Sequence, residues 1–134
     1  MKDIPTPTPR ELEILKVLWD LGPSSVKTVH QELCRKDARN KDLAYNTVQT
    51  LLRIMDTKGL VDHQLEGRTF IYTPHFSRDD SAARFVDHVF DGAADQMVLS
   101  LLRSERISAD ELERMHALIA DARRKRRPQD TKGG

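Results

Sequence analysis

The stretch Leu43–Gly59, LAYNTVQTLLRIMDTKG, constrains the fold more than any other, because it reads as a helix with two unlike faces that runs straight into a strand pair. At 100° per residue, Val48, Leu51, Leu52 and Met55 fall on one stripe, the spacing of a buried helix face. The opposite side gathers Asn46, Thr50, Arg53 and Thr57, with Gln49 on its flank and no carboxylate in the row. Such a row suits the DNA major groove, where Arg pairs with guanine edges, Asn or Gln with adenine edges, and Thr meets a phosphate or a thymine methyl. Tyr45 and Thr47, in the first turn, complete the expected contact set. The competing reading is a plain solvated face, and the flanking elements weigh against it.

Upstream, Thr8, Pro9, Arg10 and Glu11 form a capping box with proline at the first helical position. The helix they open carries Leu12, Leu15 and Trp19 on an apolar stripe widened by Ile14, Leu18 and Leu21, and Gly22-Pro23 stops it. Ser24 and Ser25 can cap a second helix with inner face Val26, Val29, Leu33 and Cys34. That helix ends in the polar run RKDARNKD. Ala44 is a poor cap for the next helix, so Asp42 is assigned that role. Two short helices joined by a turn, the second polar outside, make a helix-turn-helix.

Downstream, Gly59 closes the long helix. Val61, His63 and Leu65 alternate with Asp62, Gln64 and Glu66, Gly67 turns the chain, and Thr69–Thr73 form a β-rich run up to Pro74. This hairpin makes the arrangement a winged helix. Arg68 at the tip is expected to contact the phosphate backbone or the minor groove, whose negative potential attracts Arg. An ordinary exposed turn residue is the alternative.

Formal net charge is only +1, so attraction to nucleic acid must be local. Between Arg35 and Lys58 six bases (Arg35, Lys36, Arg39, Lys41, Arg53, Lys58) face three acids (Asp37, Asp42, Asp56), a local excess of +3. Cys34 is the only cysteine, which excludes an intrachain disulfide. The start, MKDIPTPTPR, has no signal-peptide core and no run is long enough to span a bilayer, so a cytoplasmic protein without membrane insertion is expected.

The second half holds three further helices. Ser77–Asp80 caps one bearing Phe85, Val86, Val89 and Phe90, which Asp91-Gly92 breaks. Another, around Ala94–Arg103, carries Met97, Val98, Leu101 and Leu102. The last opens at Ser108–Glu111, shows Leu112, Met115, Leu118, Ile119 and Ala122, and ends in Arg123, Arg124, Lys125, Arg126 and Arg127 before Pro128. Fewer than about 60 residues rarely make a self-sufficient core, so these faces call for a partner, most simply a second copy. The expected dimer interface is Phe85, Val89, Met97, Leu101, Leu112, Met115, Leu118 and Ile119. The terminal bases complement the helix macrodipole, with phosphate contact as the alternative.

The fold class expected is mainly α with a small β hairpin. Residues 1–76 form a winged helix-turn-helix, 77–127 a helical dimerisation region and 128–134 a disordered tail. Enzymatic signatures are weak: the sequence shows no glycine-rich phosphate loop and no catalytic spacing, and His63, His75, His88 and His116 are scattered. His30 and Cys34 lie four apart on one helix, but two ligands do not close a zinc site, so no metal and no cofactor is expected. The runner-up function is a winged helix used only for protein contact. An acidic or apolar outer helix face would mark it, and the face here is neither.

With LAYNTVQTLL, KGLVDH and EGRTFIYTP in hand, the sequence resembles the penicillinase-repressor (BlaI/MecI) family of winged-helix regulators over nearly its whole length, from ELEILKVLW onward. The resemblance implies a homodimeric transcriptional repressor that binds palindromic operators on double-stranded DNA, often of β-lactam-resistance genes, and dimerises through its C-terminal helices. It also implies derepression by a membrane-bound sensor protease that cuts within QMVLSLL. Ser100-Leu101 stands there in place of the family's Asn-Phe pair. A copper-sensing branch uses a C-terminal cysteine cluster, which this chain lacks.

Overall fold

The computed structural model describes residues 6–126. Arg127 of the terminal basic run and the tail expected to be disordered lie outside the described residues. Helix α1 (Pro9–Leu21) starts at a reciprocal cap: the Thr8 hydroxyl accepts the Glu11 N–H at 3.2 Å, and Glu11 Oε1 accepts the Thr8 N–H at 2.9 Å. Its buried side is Ile14, Leu15, Val17 and Leu18, whereas Leu12 and Leu21 are exposed. The predicted stripe was therefore rotated, because α1 packs against several elements at once and not against a single neighbour.

Ser24 and Ser25 do more than cap. They form a two-residue strand, β1, before α2 (Val26–Lys36), and the Ser25 hydroxyl accepts the Thr28 N–H at 3.2 Å. After a 3₁₀ turn (Ala38–Asn40) come α3 (Tyr45–Lys58), β2 (Val61–Glu66) and β3 (Thr69–Pro74). The sheet is antiparallel in the order β1-β3-β2, with Ser24 opposite Tyr72 and Val61 opposite Pro74. A third strand is thus added to the expected hairpin.

One core joins these elements: Ile14, Leu15, Val17 and Leu18, Val26, Val29 and Leu33, Val48, Leu52 and Met55, then Leu60, Val61, Tyr72 and Phe76. Leu51 packs at its edge. Each fully buried Leu or Met stabilises by about 1.5–3 kcal/mol, which fixes the rotation of α3 about its axis. Gly59 ends α3 at φ 87°, a left-handed conformation that a side chain disfavours, and turns the chain so that Leu60 and Val61 re-enter the core.

Helices α4 (Arg78–Val89), α5 (Ala94–Arg103) and α6 (Ala109–Lys125) follow. Ser77 and Asp80 cap α4 reciprocally, at 3.0 and 3.1 Å, and Ser108 and Glu111 do the same for α6. Asp91 at φ 52° and Gly92 at φ 85° end the α4 segment. Two compact units result, divided between Ala82 and Ala83 inside α4. None of α4, α5 and α6 contains a buried residue.

Candidate nucleic-acid interface

Helix α3 is positioned by the turn before it. The His30 Nε2–H donates to the Leu43 carbonyl at 2.6 Å, and the His30 ring meets Tyr45 edge-on at 5.9 Å between centroids. Asn40, 5% exposed, accepts from Arg10 at 2.7 Å and donates to the Leu33 carbonyl and to Glu13 Oε1, both at 3.3 Å. These two side chains tie the turn to α1 and α2. His30 therefore acts in positioning, with the Cys34 sulfur 3.6 Å from its Nε2. Among the described residues no group of three or more His, Cys, Asp or Glu is placed to hold a metal.

Ala44 occupies the N-cap of α3 and no side chain caps the first turn, so the assignment of Asp42 is corrected. The loop geometry puts Asp42 two residues too early. The N–H groups of Tyr45 and Asn46 are thus left without a capping side chain, at the end of a helix that attracts anions.

The polar face is open. Tyr45, Asn46, Thr47, Thr50 and Arg53 are exposed and Gln49 is half-buried, opposite the buried Val48, Leu52 and Met55. Among the described residues the Arg53 guanidinium has no ion-pair partner. Thr57 donates its hydroxyl to the Arg53 carbonyl at 3.2 Å. Asp56, the one acid on the helix, is held by His63 Nδ1 on β2. Burial, reinforced by the nearby Asp56 charge and opposed by Arg53, raises the Tyr72 hydroxyl above its usual pKa, so it stays protonated and neutral.

At the wing tip Gly67 adopts φ 64° in the two-residue turn between β2 and β3, and Arg68 beside it is exposed. Leu65 and Phe70 face each other across the strands just behind it, 60% and 47% exposed.

The basic excess is smaller than the sequence count. Four of the six bases are engaged by acids: Arg35 with Glu32, Lys36 with Asp20, Arg39 with Asp37 and Lys58 with Glu11. Hydrogen bonds from the Arg39 side chain and N–H bring the Asp37 carboxyl down to about 2. Only Lys41 and Arg53 of that group are without an acidic partner among the described residues.

The sequence pattern of the penicillinase repressor family matches residues 7–121. The chain belongs to that family. The penicillinase repressor of Bacillus licheniformis is 28% identical over 131 residues, covering 95% of this chain and 99% of the relative. The transcriptional regulator BlaI of Mycobacterium tuberculosis is 29% identical over 115 residues, covering 83% of this chain and 80% of the relative. A solution structure of monomeric Bacillus licheniformis BlaI in complex with the blaP half-operator shares 35% identity, with a TM-score of 0.48, and the match covers 60% of this chain and 93% of that one.

In this penicillinase-repressor-family chain, the residues assigned to dimerisation lie on α4 (Phe85, Val89), α5 (Met97, Leu101) and α6 (Leu112, Met115, Leu118, Ile119). Met97 and Met115 are half-buried and the other six are exposed. Ser100-Leu101 sits inside α5. Among the described residues no helix is long and apolar enough to cross a membrane.

Proposed function

We propose that the chain is a sequence-specific DNA-binding transcriptional repressor that acts as a homodimer on palindromic operators, including operators of β-lactam-inducible genes. One observation carries the reading: Asn46, Thr50 and Arg53 are all exposed on the side of α3 opposite its core anchors, on a helix whose first turn lacks a side-chain cap. A phosphate at that helix end would supply the missing cap, while the row beyond it meets base edges. Arg68 extends the contact to the neighbouring backbone or minor groove. Family membership supports the repressor role, since relatives bear that name.

The exposed faces of α4–α6 support the homodimer. A symmetric pair presents two copies of α3 to half-sites separated by about one helical turn, or a multiple of it. Cleavage at Ser100-Leu101 by a membrane sensor protease is the release step this reading expects, because it would cut α6 away from the DNA-binding unit.

Operator affinity, measured by fluorescence anisotropy across a salt series, is expected to fall linearly on logarithmic axes. A flat response would remove DNA as the partner. Arg53→Ala is expected to cost about 1–3 kcal/mol of operator affinity and to relax preference at one base position. An equal loss on all sequences would reassign Arg53 to phosphate contact.

A further inference from the structure

Arg53 stands three residues before Asp56 on α3, about 60° away around the helix, a spacing at which two side chains reach each other. Yet among the described residues the guanidinium has no ion-pair partner, and Asp56 is engaged from another element: the His63 Nδ1–H on β2 donates to Asp56 Oδ2. Asp56 also lies in the last turn of α3, at the negative end of the helix dipole, where a carboxylate gains from a donor outside the helix. Lys58, the base in that turn, is taken by Glu11. With Lys58 occupied, the choice for Asp56 lies between His63 and Arg53.

The imidazole is held in place for this contact. His63 lies opposite Tyr72 in the strand pair, and its ring meets Phe70 edge-on at 5.2 Å and leans on Tyr72 at 6.1 Å between centroids. Tyr72 is 4% exposed and belongs to the core, so His63 rests on a fixed surface. Burial does most to raise the pKa of the Tyr72 hydroxyl, the Asp56 charge adds to it and the Arg53 charge opposes it. A single hydroxyl that senses both charges brings Arg53 and Asp56 to the same side of α3.

We propose that His63 is a specificity-determining positioning residue: by occupying Asp56 it keeps that carboxylate off Arg53 and leaves the guanidinium free for a base edge. The inference rests on the DNA-binding reading above and adds to it a residue outside α3. Releasing Asp56 would have two effects. It would offer Arg53 an intrahelical pair that competes with the duplex, and it would set an unshared negative charge beside the phosphates. An exposed pair at this spacing is weak, so the competition lowers discrimination at the Arg53 position by about two- to fivefold and does not abolish binding. The His75 Nδ1–Asp62 pair, 2.9 Å long, ties β2 to the residue after β3 at the base of the same hairpin, and it serves as the control.

Full-length variants are tested by anisotropy on a duplex that the wild-type chain selects from a random library, and on copies of it with one base pair changed at a time. Arg53→Ala first identifies the base pair at which preference is lost. His63→Phe keeps a ring against Phe70 and Tyr72 but has no N–H, and it is expected to lose about two- to fivefold of the discrimination at that same base pair. His63→Asn, which keeps an N–H at the δ position, and His75→Ala are expected to retain it. Adding Asp56→Asn to His63→Phe is expected to restore it, because the amide carries no charge to hold Arg53. Urea unfolding checks each chain, and His63→Ala takes the place of His63→Phe if the latter does not fold. Full discrimination in the donor-less variant would overturn the proposal, and so would a loss that Asp56→Asn does not repair, which would assign His63 to holding the wing. An Arg53→Ala chain with unchanged preference at every position would overturn it too, since His63 would then protect no base contact. A wild-type chain that selects no duplex would instead remove the DNA-binding reading itself.

Discussion

Replacing Lys58 with alanine is expected to destabilise the winged-helix unit by about 2–3 kcal/mol, measured by urea unfolding at neutral pH. The Glu11 side chain is 2% exposed at the start of α1, and Lys58 in the last turn of α3 holds it at 2.8 Å. Without Lys58 the carboxylate keeps only its hydrogen bonds with Thr8, and a nearly buried charge loses its counterion. The figure falls below the usual cost of breaking a buried pair because the Lys58 ammonium is itself 31% exposed, so water offsets part of the loss. Burial pushes the Glu11 pKa up, but hydrogen bonds from Lys58 and Thr8, with the Lys58 charge, bring it below the ordinary 4.5. A depressed carboxylate contributes stability that is complete above the unfolded value and is lost as pH falls through the folded value. The gap between wild type and Lys58→Ala is therefore expected to be widest above about pH 4.5 and to close in more acidic solution. A gap that stayed constant would assign the loss to the lysine's methylene packing instead of its charge.

That ion pair also shows where sequence reasoning stopped. Glu11 was legible as a cap because capping is local: a span of four residues and two hydrogen bonds define it. Its burial was not, because the lysine that permits it lies 47 residues away. The same division runs through the interface. The rotation of α3 followed from Val48, Leu52 and Met55 at helical spacing, since a buried stripe is periodic and needs no knowledge of its partner. The residues that aim α3, His30 and Asn40, bond across the turn to α1, α2 and Leu43, and nothing in their spacing announces it. His30 was visible only as half of an unlikely metal pair.

Strand β1 was hidden for a similar reason. Two serines have no strand pattern of their own, and they become a strand only because β3 supplies the hydrogen-bonding edge. The local charge count failed differently. It correctly found six bases near the turn, but Asp20, Glu32 and Glu11 lie outside the window counted, and each engages one of them. What remains for a nucleic acid is sparse, so on the proposed reading base-edge contacts from Asn46, Gln49 and Arg53 would carry more of the binding than diffuse attraction.

Leu118→Asp is expected to have the largest effect on operator binding, although Leu118 is far in sequence from every candidate DNA contact. At 69% exposure the residue contributes little to the fold of its own chain, so thermal unfolding of the winged-helix unit should be unchanged. Within a homodimer joined through α4–α6, as proposed above, two aspartates would be brought into the apolar interface. An uncompensated buried charge costs about 3–5 kcal/mol, which weakens the dimer about 100-fold or more. Operator affinity should then fall toward that of an isolated half-site, since each DNA-binding unit loses the effective concentration its partner provided, a factor of about 10²–10⁴. Sedimentation and anisotropy must move together for this account to hold. A variant that remained dimeric at wild-type concentrations would place the interface elsewhere on α4 and α5. A variant that became monomeric yet kept full operator affinity would break the link between pairing and recognition, and a single α3 would then have to account for the whole of the binding energy.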